Sequence, residues 1–199
     1  MTQSTLATLT SLKILFPMIL ILCATAVFLR RIQTANEDQD PANTAGQTAQ
    51  APGGIPVFTL ACVLFGIYLV IYIHLTFTYR HPAKTPQMKL TPFWSYREAF
   101  QLNPLKIKRL GTAREILLNI LLTIPAGLLL PILYHKTGHP WRWTLLTVLA
   151  MTVTTETVQY FTRLGLCELD DVFNNLLGGL LGMGILAAGS CIGKKIAGQ

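Results

Sequence analysis

The chain has 199 residues, a length that suits one domain with a tail. Its formal net charge of +7 is typical of nucleic-acid binders, but only 13% of its residues are charged, 51% are hydrophobic and the mean hydropathy is +0.47. A typical soluble domain carries about 25% charged residues. The composition therefore argues against a nucleic-acid partner and predicts an integral protein of the lipid bilayer.

Five apolar segments indicate the fold class. A helix needs about 20 predominantly apolar residues to cross a bilayer core of about 30 Å. Backbone groups in lipid must also find their hydrogen-bond partners inside the segment, which favours helices. We therefore predict an all-α, polytopic transmembrane helix bundle of about five spans, at residues 13–29, 55–77, 116–134, 143–161 and 172–192.

The N-terminal part divides into a helix and a linker. Residues 1–29 are predicted to be an uncleaved transmembrane helix, because two arginines follow the apolar run directly. A signal peptide is the alternative, since residues 24–26 resemble a small-residue cleavage site. Residues 30–54 contain no aromatic residue and no periodicity, so we predict a flexible linker. A four-helix transmembrane domain then occupies residues 55–199.

The segment 79–114 differs from an ordinary loop. It combines eight Lys and Arg residues with several aromatic ones, and its prolines forbid one continuous helix. This mixture is typical of a segment that lies on the lipid headgroups. It is interpreted either as a plain interfacial loop or as a cap over a membrane-facing site that attracts an anionic headgroup.

The fourth span and the acidic turn after it carry the polar residues that matter most. Glu156 lies inside the span, where a charge is costly and usually faces the bundle interior. Gln159 and Arg163 follow at i+3 and i+7, on the same helix face. We expect Arg163 to pair with Asp170 or Asp171 at the rim, which leaves Glu156 as the deeper carboxyl, near the asparagines of neighbouring helices.

The fifth and third spans contribute positions for close packing. Gly178 and Gly182 have the small-xxx-small spacing that lets two helices approach closely. In the third span, Pro125 removes one backbone hydrogen bond and is expected to kink the helix, and Gly127 follows it. These four residues are the predicted helix-packing set.

The polar residues are expected to converge on one side of the membrane. Consecutive spans alternate in direction, so the start of the third span lies on the same side as the turn between the fourth and fifth. Glu115 and Asn119 stand near that start at i, i+4. The predicted ligand-binding set is Asn119, Glu156, Gln159, Arg163, Asp170, Asp171 and Asn175.

The same residues resemble the pattern of the VanZ-like membrane protein family. The pattern has a Pro-Phe loop, Asn-x-x-x-x-x-Pro-x-Gly, Glu-x-x-Gln, an acidic turn and Asn-x-x-Gly. The matching residues are Pro92 and Phe93; Asn119, Pro125 and Gly127; Glu156 and Gln159; Arg163; Asp170 and Asp171; and Asn175 and Gly178. The resemblance covers residues 90–185, and it departs from the family at Thr123 and Ala126, where aromatic residues are common.

The resemblance implies a location and a general role. The family is named for a member associated with teicoplanin resistance. A multi-pass protein of the bacterial cytoplasmic membrane is therefore implied, with a role at the cell envelope in tolerance of glycopeptides or lipoglycopeptides. The larger number of Lys and Arg residues lies on the side of the converging polar residues, which favours a cytoplasmic location for them. The resemblance instead favours a location on the outer side of the membrane.

Three functional hypotheses follow. The first is a non-enzymatic envelope protein whose buried polar residues either order the helix bundle or bind a lipid-linked ligand, such as a cell-wall precursor, or a lipoglycopeptide. The second is an intramembrane enzyme that acts on a lipid or cell-wall precursor, with Glu156 or Asp171 as general acid or base, although no Ser-His or Cys-His pattern supports a nucleophile. The third is a small transporter with Glu156 as its proton site.

No cofactor or metal is predicted from the motifs. His135 and His139 have a spacing of four, but Gly138 and Pro140 indicate a loop and not a zinc-binding helix. The sequence also lacks a phosphate-binding loop and a dinucleotide fingerprint.

Overall fold

The computed structural model of the protein describes residues 57–78, 80, 82–100 and 106–196. The predicted helix 1–29 and linker 30–54 lie outside these residues. The elements, in chain order, are α1 (Val57–Ile73) with a π-helical turn (His74–Thr78), β1 (Gln87–Lys89), α2 (Trp94–Phe100), α3 (Lys106–Leu133), α4 (Pro140–Thr162), β2 (Leu166–Glu168) and α5 (Leu169–Ile196).

The helices have the length and composition of a membrane bundle. In the described part of the chain, three helices are long and apolar enough to cross a bilayer, over Val57–Thr78, Leu110–Leu133 and Leu169–Ser190. Helix α4 has 23 residues and is also long enough, but several threonines and a glutamate make it less apolar. The prediction of an all-α polytopic bundle is confirmed.

Apolar side chains cover the outside of the bundle and pack its centre. On α1, Ile67 and Val70 are exposed by 50% and 69%, as lipid-facing residues are, whereas Tyr68 is fully buried one position away. The core around Tyr68 includes Leu130 of α3 and Val148 of α4. The helices therefore pack against each other on one face and present an apolar face to lipid.

Helices α3 and α5 form the closest pair. A Cβ atom added at Gly178 would collide with the backbone oxygen of Ile120, and one added at Gly182 would lie 2.9 Å from the Cα of Gly127. The Thr123 hydroxyl also donates a hydrogen bond to a backbone carbonyl of α5 at 2.7 Å. Only residues without a side chain allow the two backbones to come this close.

The helices extend beyond the predicted spans at the polar end. Helix α3 starts at Lys106 and continues through Pro125, so the last part of the predicted loop is helical. Helix α5 starts at Leu169, which places Asp170 and Asp171 in its first turn and not in a connection. The apolar stretch marks only the part of a helix inside lipid, and acidic residues are favourable in a first turn.

A short parallel sheet joins the interfacial loop to the turn between α4 and α5. Strand β1 pairs with β2 in a register that places Gln87 opposite Leu166 and Lys89 opposite Glu168. This pairing fixes the loop against the end of the bundle where α4 ends and α5 begins.

Candidate functional site

Asp170 fastens the interfacial loop to the start of α5. Its carboxylate is fully buried and accepts hydrogen bonds from the backbone N–H of Phe93 (2.6 Å), the backbone N–H of Ser95 (2.9 Å) and the Ser95 hydroxyl (2.6 Å). Phe93 has a φ of 57°, a left-handed conformation that costs about 1–2 kcal/mol outside glycine. Hydrogen bonds to a charged group contribute about 1.5–3 kcal/mol each and offset that cost.

Aromatic contacts beside Asp170 hold the same loop. The Tyr96 hydroxyl donates to Oδ1 of Asn174, which is fully buried. The Phe93 ring stacks on Phe173 with the centroids 5.6 Å apart and the planes 10° apart. The loop is therefore bound to α5 by a carboxylate, an amide and a stacked ring.

A cavity lies at the end of the bundle where these elements meet. Its volume is about 870 Å³, which is within the range of small-molecule sites. Residues from the loop and from all five helices line it. Its polar lining residues are Tyr72, Thr76, Arg80, Lys89, Trp94, Ser95, Glu98, Thr112, Arg114, Glu115, Asn119, Thr155, Glu156, Gln159, Glu168, Asp171 and Asn175.

Glu156 is a deep carboxyl of the cavity wall. It is only 5% exposed, and its Oε2 accepts a hydrogen bond from the backbone N–H of Glu168 at 2.9 Å. This bond joins α4 to β2. The sequence placed Glu156 beside asparagines, but the partner that the structure gives it is a backbone amide, because β2 folds back over the end of α4.

Asp171 and Arg80 stand on another part of the wall. Asp171 is hydrogen-bonded by the side chain of Asn119, and the charge of Arg80 acts on both Asp171 and Glu156. The Arg80 guanidinium lies so close to Gly165 that a Cβ atom there would collide with it. A side chain at position 165 would therefore displace the guanidinium from this place.

Asn175 of the predicted set reaches across from α5 to α4. Asn175 is 4% exposed, and its Nδ2 donates to the hydroxyl of Thr152 at 2.8 Å. The Tyr72 hydroxyl of α1 also bonds to the hydroxyl of Thr155 on α4, at 2.9 Å. Hydroxyl and amide groups thus bring polar chemistry into the bundle without adding charge.

Four buried polar atoms in the cavity wall have no hydrogen-bond partner within the described residues. They are Thr76 Oγ1, Trp94 Nε1, Gln159 Oε1 and Asn175 Oδ1. Buried polar atoms in proteins are nearly always bonded, so each unpartnered one needs an explanation such as a ligand or water.

Arg163 does not have its predicted place. It is exposed, ends α4 with a φ of 60°, and directs its guanidinium to the carbonyl of Lys84 at 3.4 Å. Its own carbonyl accepts from the Ala83 N–H at 2.8 Å. The predicted pairing of Arg163 with Asp170 or Asp171 is wrong. The left-handed residue turns its side chain off the helix face, Asp170 is bonded to the loop, and the cation that acts on Asp171 is Arg80.

The structure brings together most, but not all, of the predicted ligand-binding residues. Five of them line the cavity: Asn119, Glu156, Gln159, Asp171 and Asn175. Arg163 and Asp170 do not, and they bind the loop instead.

Sequence reasoning missed Arg80, Thr76 and Glu168 as wall residues. Thr76 lies at the end of the predicted second span and Arg80 follows that span, and their position at the same end of the bundle was the available signal. Glu168 belonged to the acidic turn, but its role depends on the pairing of β1 with β2.

Crowding of carboxyl groups raises the proton affinity of Glu168 in β2. Burial raises the pKa of Glu168 to about 8, and nearby negative charges contribute further, foremost those of Asp171 and Glu115. Burial also raises the pKa of the Cys167 thiol and of the Tyr96 hydroxyl, with the carboxylates as further causes. The part of the protein around β2 therefore favours protonated groups or a bound cation.

The fold and this site define a polytopic membrane protein with a polar cavity at one end of its helix bundle. A family model described as VanZ/LLP1 matches residues 58–190, and the chain belongs to that family. It is similar to Protein VanZ of Enterococcus faecium, with 29% identity over 120 residues, covering 60% of this chain and 69% of that protein. No solved structure matches the chain.

Proposed function

We propose that this is a multi-pass protein of the bacterial cytoplasmic membrane whose cavity binds a lipid-linked cell-wall precursor or a lipoglycopeptide. Through that binding it contributes to tolerance of teicoplanin-like glycopeptides or lipoglycopeptides. The similarity to Protein VanZ supports the role in tolerance. The observation that carries the binding function is the cavity of about 870 Å³ with its unpartnered polar atoms.

The site supports binding better than it supports catalysis. Glu156 already uses one carboxylate oxygen to hold β2, and Asp171 is hydrogen-bonded by Asn119. Both carboxyls are thus held in place by the protein, as groups that position a ligand are. The enzyme and transporter hypotheses stay predictions.

The test is protection of a glycopeptide-susceptible bacterium. The full chain is expressed, and the minimal inhibitory concentrations of teicoplanin and of a lipoglycopeptide are measured for wild type and Glu156→Gln at equal membrane abundance. The wild-type protein should raise one or both concentrations. Glu156→Gln should lose that protection, because glutamine keeps an oxygen for the Glu168 N–H but removes the charge.

A matched control lies on the same helix. Thr157 is exposed on α4, and its hydroxyl bonds only along its own helix, to the carbonyl of Val153. Thr157→Val should protect as the wild type does. Full protection by Glu156→Gln at normal abundance would show that the cavity carboxyl serves packing alone.

A further inference from the structure

Helix α2 separates the cavity from the outside of the bundle. Trp94, Ser95 and Glu98 line the cavity from one side of this helix. Arg97 and Phe100 are exposed and stand three positions apart, so they share another helix face. Phe100 is 78% exposed, the largest fraction among the large apolar side chains of the described residues. The outer face of α2 thus combines a cation with an exposed aromatic ring.

The stacked rings of Phe93 and Phe173 place this outer face beside the lipid. Phe173 lies near the start of the candidate span Leu169–Ser190. Leu177 and Leu180 follow it on the same helix face and are also exposed, which makes a lipid-facing stripe of α5. The Phe93 ring lies almost parallel to that of Phe173 and is itself 53% exposed. The residue directly before α2 therefore extends the lipid-facing surface of α5.

The position of Phe173 along α5 gives the depth of this surface in the membrane. Phe173 is four residues from the start of the span, so it lies about 6 Å along the helix axis from that start. This is the level at which headgroups meet acyl chains, where amphipathic helices place aromatic rings on the lipid side. A long basic side chain at that level extends into the headgroups, so Arg97 is within reach of lipid phosphates.

The charges of the loop favour a negatively charged lipid. Residues 82–100 contain three cationic side chains and one carboxyl, namely Lys84, Lys89, Arg97 and Glu98. The Lys89 ammonium lies 3.3 Å from the ring centroid of Trp94, and Glu98 lines the cavity. Arg97 is therefore the charged residue of the outer face of α2. A guanidinium binds phosphate oxygens through paired hydrogen bonds and is attracted to an anionic leaflet.

We propose that the outer face of α2 binds an anionic phospholipid of the surrounding bilayer. The Arg97 guanidinium binds the lipid phosphate, and Phe93 and Phe100 pack against the upper part of the acyl chains. A zwitterionic lipid is less favourable, because its own cation repels the guanidinium. A soluble anion brings no apolar group to cover the two exposed rings. The inference concerns the outside of α2 and does not depend on what the cavity binds.

Photocrosslinking from a single position tests this lipid contact. The full-length protein carries p-benzoylphenylalanine in place of Phe100, in vesicles of equal parts phosphatidylglycerol and phosphatidylethanolamine with the same acyl chains. Mass spectrometry after irradiation gives the ratio of the two lipid adducts. The matched control carries the same photoreactive residue in place of Thr157, which is exposed on α4. Position 100 should give a phosphatidylglycerol share about fivefold above that of the control, as one basic residue at an anionic surface supplies.

Variants of the crosslinking protein assign the enrichment to Arg97. Arg97→Gln should reduce the enrichment to about one, whereas Arg97→Lys should keep most of it because the charge remains. Lys84→Gln, which changes another exposed cation of the loop, should keep the enrichment in full. The absence of a lipid adduct at position 100, an adduct ratio equal to that of the control, or undiminished enrichment in Arg97→Gln would each overturn the inference.

Discussion

At the scale of single residues, the carboxyl groups of Asp170 and Glu156 have different roles. Asp170 uses both oxygens to hold the loop, whereas Glu156 uses one for β2. The sequence predicted that both residues lie at the same end of the helix bundle, and both do. It did not separate their roles, because the partners of Asp170 lie in a loop more than seventy positions away in sequence.

Loss of the Asp170 carboxylate should release the loop. Asp170→Ala leaves the buried N–H of Ser95 without an acceptor, at about 1–3 kcal/mol, and also removes the acceptor of the part-buried Phe93 N–H. We expect a lower melting temperature in detergent and faster trypsin cleavage after Arg97. Thr157→Val, which changes only an exposed hydroxyl bonded within its own helix, is the control and should behave as the wild type does. Equal effects of the two variants would contradict the role given to Asp170.

Glu168 should make stability depend on pH. Its pKa is about 8 in the folded protein, above its usual 4.5, so the folded state holds the proton more tightly than the unfolded state does. Stability is then fully present below the usual pKa and is lost as the pH rises through about 8. The groups that face Glu168 are Lys89 of β1 and the carboxyls of Asp170, Asp171, Glu115 and Glu156.

Glu168→Gln tests this directly, because glutamine copies the protonated form. The melting temperature of wild type should fall between about pH 5 and pH 9, and that of Glu168→Gln should fall less. Two curves that run parallel over this range would show that Glu168 does not titrate there.

At the scale of helices and strands, sequence reasoning located the spans well and their ends poorly. The four segments predicted after residue 55 all correspond to helices. The start of α3 was missed, because residues 106–114 are rich in basic side chains and do not look like part of a membrane span. The pairing of β1 with β2 was also missed, since two strands of three residues carry no periodic signal of their own.

The contact of α3 with α5 gives a prediction about glycine. Gly178→Ala should destabilise the protein by about 1–3 kcal/mol, the usual cost of overpacking, because the new Cβ meets the backbone oxygen of Ile120. At Gly189 an added Cβ meets no atom within 4 Å, so Gly189→Ala is the matched control. Thermal unfolding in the same detergent compares the two, and equal melting temperatures would contradict the close contact.

At the scale of the whole molecule, the family match covers one continuous stretch of the chain, residues 58–190. The described residues of the cavity wall lie within that stretch. We therefore expect residues 55–199 to insert and fold without the helix and linker predicted before them.

A truncated protein starting at residue 55 checks this. It should extract from membranes as a single monodisperse species, as the full chain does, which serves as the control. Aggregation of the truncated protein beside a well-behaved full chain would show that the N-terminal residues are needed for folding.

The parallel pairing of β1 with β2 imposes an order on the synthesis of the protein. The ribosome makes β1 first and then has to complete α3 and α4 before β2 exists, because parallel partners require a crossover between them. Asp170 leaves the ribosome later still. During that interval the nascent loop lacks both its strand partner and the carboxylate that binds it. The loop can therefore take its final place only when β2 and the start of the last helix have been made.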